Sequence, residues 1–152
     1  MRKEKVMKIG ILAGAVALMT FAGQTALAGD TPSADGAEVY FVGLADGDTV
    51  SSPITIRFGL RGMGVAPAGA EWDNTGHHHL LINTDAFSSA DAAKFNDGIP
   101  SDDNHKHFGG GQTEVTLELP AGSHTLQLLL GDLYHVPHQG AVYSDQITIN
   151  VE

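Results

Sequence analysis

Gly76-His77-His78-His79-Leu80-Leu81-Ile82-Asn83 is the stretch on which the fold turns. Three imidazoles run straight into an apolar, β-forming tail. In a strand, successive side chains point to opposite faces. His77, His79 and Leu81 therefore share one face, and His78, Leu80 and Ile82 share the other. Apolar groups on both faces predict a strand covered on both sides. Two imidazoles fixed on one face of such a strand are half of a metal site.

The neighbouring segments carry the same β signature. Glu38–Val42 is rich in β-branched and aromatic residues. Ile54, Ile56, Phe58 and Leu60 alternate with polar or small residues, as do Val115, Leu117 and Leu119. Ser123–Leu130 is the strongest strand, with His124, Leu126, Leu128 and Leu130 on one face. Ile147, Ile149 and Val151 alternate in a last strand placed at Val142–Val151. Asp46-Gly47-Asp48 and Pro120-Ala121-Gly122 are turns. Arg61–Thr75 is a long Gly/Ala/Pro-rich connection holding the single tryptophan, Trp72, expected as a plug over a core edge. Thr84–Gly111 is an insertion in which Ser88 caps one or two helical turns. The expectation is an all-β, immunoglobulin-like β-sandwich of about seven strands with a loop and short-helix insertion, spanning residues 38–152. Residues 29–37 are expected as a flexible lead.

The first 28 residues have the form of an export signal: Arg2, Lys3, Lys5 and Lys8, an apolar run over Ile9–Phe21, then Ala26-Leu27-Ala28 before a cut at Gly29. They hold four of the 8 Lys+Arg and one of the 18 Asp+Glu, so residues 29–152 carry four bases against 17 acids, a net charge of −13. That balance argues against nucleic acid and anionic membrane surfaces as partners and attracts cations. No later segment is apolar for long enough to insert in a membrane after signal cleavage. The expected location is periplasmic or secreted. Cysteine is absent, which excludes thiolate metal sites and thiol catalysis. Only Met63 lies outside the signal, so no methionine-rich copper(I) site is available.

All eight histidines fall between His77 and His138. His77 and His79 form one His-x-His pair, His105 and His107 a second, and His135 and His138 a His-x-x-His pair in a loop. Neutral imidazole is a good ligand for first-row ions, and pairs on adjacent elements supply the three or four donors a centre needs. The candidate ligands are therefore His77, His79, His105, His107, His135 and His138, with copper(II) or zinc as the ion. Asp102, Asp103 and Asp132 are candidates to orient the rings. The competing reading is a non-catalytic structural or interaction module of the cell envelope, its imidazoles forming a buried hydrogen-bond network. For His124 the structural reading prevails, because it begins a strand after a turn, where sandwich domains place a corner tyrosine. His78 stays open between the two roles. Neither a Gly-x-Ser-x-Gly elbow nor a His-Glu-x-x-His helix occurs, so no enzyme is expected.

DGDTVSSPITIRFGLRGMGVAPAG from Asp46, TGHHHLLINTD from Thr75, NHKHFGGGQTEVTLELPAGSHTLQLLLGD from Asn104 and HVPH from His135 carry a resemblance. Together they resemble a bacterial exported family known as domain of unknown function 4399, over about Val39 to Val151. The resemblance implies an exported single domain and no activity. DGDTVSSPITIRF also looks like the opening of copper-resistance periplasmic sandwich domains. The amino-terminal histidine common in those carriers is missing at Gly29-Asp30, so no site transfers.

Overall fold

The computed structural model describes residues 30–152. The expected signal, residues 1–28, lies outside them. The strands are β1 Glu38–Val42, β2 Thr49–Val50, β3 Ile54–Arg61, β4 Gly64–Val65, β5 Thr75–Ile82, β6 His105–His107, β7 Glu114–Leu117, β8 Gly122–Gly131 and β9 Ile147–Val151. A 3-10 helix covers Ser89–Phe95. One sheet runs β1-β3-β7; the other runs β2-β9-β8-β5-β4, with β6 also on β5. The protein is an all-β sandwich. The order β1-β3-β7 against β9-β8-β5 is the immunoglobulin-like one. Three of the strands are only two or three residues long, which accounts for the excess over seven.

The alternating residues do what their period demands. Val39, Ile56 and Phe58 of the smaller sheet pack against Leu80, Leu126, Leu128, Leu130 and Ile149 of the larger. The opposite face of the larger sheet is also covered. There Leu81 and Leu129 meet Phe87 and Ile99 of the insertion, with Phe95 and Tyr143 packed alongside. Gln127 pins this layer: its amide accepts from Phe87 N at 2.7 Å and donates to Phe87 O at 3.0 Å and Ser144 O at 2.8 Å. The insertion is thus a lid on β5 and β8. Its helix starts where Ser88 predicts, with Ser88 N and Oγ donating to the Asp91 carboxylate at 2.9 and 2.7 Å.

Three expectations need correction. The segment expected as a flexible lead is paired where it is described: Gln139 N donates to Thr31 O at 2.8 Å and Ser33 N to Gln139 O at 3.0 Å. The last strand starts at Ile147, not Val142, because Ser144 Oγ takes the Leu128 N–H at 2.9 Å and interrupts the ladder. Trp72 is no plug, since 67% of it is exposed.

His124 behaves as its position predicts. Nε2 lies 2.9 Å from Pro120 O and donates to it, which leaves Nδ1 to accept from the Asn83 amide at 3.0 Å. Removing both bonds with His124→Ala is expected to cost about 1–3 kcal/mol, read as a lower urea midpoint with an unchanged m-value. Leu128→Ala, at the centre of the main core, should cost about 2–5 kcal/mol in the same measurement.

Candidate metal centre

Four histidines converge on the covered outer face of the larger sheet. β5 contributes His77 and His79 by alternation. β6 pairs antiparallel with β5 so that His107 sits opposite His79. The loop after β8 supplies His135. One ring nitrogen from each of His77, His79, His107 and His135 lies within 4.8 Å of the others. The rings sit side by side: His107 and His135 stack at 4.0 Å between centroids, His79 and His135 at 4.7 Å, and His77 and His79 are 4.8 Å apart.

Two devices hold this arrangement. Across from His77 on β8 is Gly131, where a Cβ would come within 2.7 Å of His79 Cε1 and 3.3 Å of His77 Cε1. Any side chain there would force the His79 ring to shift. The second device is the turn that carries His135. His135 has φ 69, a left-handed conformation that costs a non-glycine residue about 1 kcal/mol or more. Asp132 imposes it. Its carboxylate accepts from Tyr134 N at 2.8 Å and Val136 N at 3.1 Å, and its carbonyl accepts from His135 N at 3.0 Å. Thr31 Oγ1 donates to the other carboxylate oxygen.

The chemical state of the cage is set by burial. His77 and His79 are both 0% exposed. Neither nitrogen of either ring has a hydrogen-bond partner, nor do Nε2 of His107 and of His135. Among the described residues, then, these four rings make no hydrogen bond to one another through those atoms. Burial, reinforced by repulsion from His107 and His135, pushes the His77 pKa down to about 3. Burial and the charge of His77 hold His79 well below the ordinary imidazole range. Burial lowers His107 and His135 as well, with Asp132 opposing the shift at His135. At neutral pH the rings are uncharged, and each presents a lone pair.

Two expected ligands fall outside the cage. His105 is on the same strand face as His107 but two residue pairs further along, opposite Leu81. Its ring turns to Phe95, and Nδ1 lies 2.9 Å from the Asp102 carboxylate. His138 stands beside the cage. It is 3% exposed, with Nδ1 at 3.4 Å from Thr31 Oγ1 and Nε2 without a partner. His78 points into the sandwich core against Phe58, at 5.3 Å between ring centroids, and burial takes its pKa to about 4. Of the three acids expected to orient rings, Asp102 serves His105, Asp103 pairs with Lys106 at 3.3 Å, and Asp132 acts on the backbone that carries His135. The role of Asp132 escaped sequence reading. The signal was there in Asp132 three residues before a loop histidine, the spacing of a side chain that closes a turn on the backbone beyond it.

A family model described as a domain of unknown function, DUF4399, matches residues 56–152. No curated protein and no solved structure matches the chain.

The lowered pKa values set a pH dependence. An unfolded imidazole takes its proton near 6.5, whereas folded His77 and His78 wait until about 3 and 4. Between those limits the unfolded chain binds more protons, so stability is full above about pH 6.5 and falls as pH drops through the window. The urea midpoint of chelator-treated protein is expected to be lower at about pH 5 than at about pH 7.5. An unchanged midpoint would mean that these rings are not buried neutral.

Proposed function

The chain belongs to the DUF4399 family, and from that premise we propose that it is an exported protein that holds one copper(II) or zinc ion for storage, delivery or tolerance. The observation that carries this reading is the buried cage of His77, His79, His107 and His135 with its unpartnered nitrogens. A buried polar group without a partner costs about 1–3 kcal/mol. Coordination by one cation removes that cost at four rings together. Imidazole-to-zinc bonds are about 2.0–2.1 Å, so tetrahedral donors sit about 3.3 Å apart. Nitrogens already within 4.8 Å of one another reach that spacing by ring rotation. His107 and His135 are the two half-buried members.

Charge points the same way. Asp132 is 1% exposed and pairs with no Lys or Arg among the described residues. A buried carboxylate without a counter-charge is costly, and a cation in the adjoining cage offsets it. With zinc, four protein donors fill a tetrahedral site and leave no open position for a substrate. The reading is therefore a holding site, not a catalytic one. The acidic surface and the signal-like first 28 residues support a role outside the cytoplasm.

Chelator-treated protein is expected to bind one copper(II) or zinc ion per chain with micromolar affinity or better in calorimetry. At about 100 times the dissociation constant the ion should stabilise the fold by about 2.7 kcal/mol. Absence of binding to both ions would end the proposal. Within that titration, His135→Asn keeps a residue that tolerates the left-handed turn but removes a donor, and should weaken binding by about tenfold or more. Gly131→Ala should do the same by displacing the His79 ring. His105→Ala should bind as the parent does. A His77→Ala/His79→Ala variant with parental affinity would move the site elsewhere.

A further inference from the structure

Beside the cage, and opening to solvent, is a cleft of about 480 Å³. Its wall carries Glu71, Trp72 and Asp73 from the connection before β5, and Asp132, Tyr134 and His138 from the loop after β8. Two features set it apart from an ordinary surface hollow. Trp72 and Tyr134 are 67% and 52% exposed, and both of these large rings belong to this one cleft. Three carboxylates share its lining, and no Lys or Arg does.

Exposed aromatic rings cost free energy unless something covers them. Rings beside carboxylates, with no base among them, offer ring faces and negative charge to the same guest. That combination suits neither an anion nor a neutral apolar molecule. A bare metal ion would use the carboxylates and ignore the rings. An organic cation uses both: its charge is attracted to the ring faces and the acids, and its methyl or methylene groups cover the aromatic surface. The volume falls within the range of small-molecule sites, about 300–1,000 Å³. His138 lines the same wall and is almost wholly buried. Asp132, buried in the same wall without a basic partner, adds the negative charge.

We propose that this cleft binds a small organic cation with an alkylammonium head group, seated between Trp72 and Tyr134 and balanced by Glu71, Asp73 and Asp132. The site adjoins the imidazole cage and shares Asp132 with the turn that carries His135.

Trp72 is the only tryptophan of the chain, so its fluorescence reports on the cleft alone. Chelator-treated full-length mature protein would be titrated with choline, with putrescine, and with 3,3-dimethylbutan-1-ol, the uncharged carbon analogue of choline. The expected result is a saturable change with choline or putrescine and none with the alcohol at the same concentrations. Tyr134→Ala and Asp73→Asn, both at exposed positions, should each weaken cation binding by about tenfold. An equal response to the alcohol, no saturable response to either cation, or parental affinity in both variants would overturn the proposal. Because chelator is present throughout, none of these outcomes bears on the metal reading, and loss of metal binding would leave this site standing.

Discussion

β5 is packed on both faces and bonded along both edges, and that double burial governs the rest of the molecule. With β8 on one side and β4 and β6 on the other, its backbone has no freedom to slip. A shift of one residue would exchange the two faces, sending His77 and His79 into the sandwich core and His78 out beneath the insertion. The apolar tail prevents this. Leu80 and Ile82 are held in the main core and Leu81 in the outer one. The positions of three imidazoles are thus set by three aliphatic side chains that touch no ion.

The outer face asks more of the sequence than the inner one. The inner core is apolar apart from His78 and His124, stabilised by area removed from water in the usual way. The outer layer is apolar at Leu81 and Leu129 and polar at His77, His79 and Gln127. Gln127 is satisfied by backbone groups of the insertion and the last loop, so it costs little. Among the described residues, none donates to or accepts from the nitrogens of His77 and His79 beside it. Two buried polar neighbours on one sheet face are therefore treated in opposite ways.

Most of the fold was legible because it rests on local periodicity: Ile54 to Leu60 and His124 to Leu130 declare their buried faces residue by residue. The His77/His79 pair was legible for the same reason. Which distant donors would join it was only half legible. His107 and His105 have the same parity, and only the pairing register, with His107 opposite His79, admits one and strands the other. No local pattern encodes that offset. His135 was harder still, since its approach depends on a left-handed residue held by a carboxylate three positions earlier. Trp72 misled because a lone aromatic in a glycine-rich connection gives no hint of which way the loop turns.

The four cage imidazoles come from β5, from β6 beyond the insertion, and from the turn after β8, so long intervals of chain separate them. Closing such intervals is among the slower parts of folding. An extended chain keeps together only the local pairs 77/79, 105/107 and 135/138. The cage is therefore a product of the finished tertiary structure.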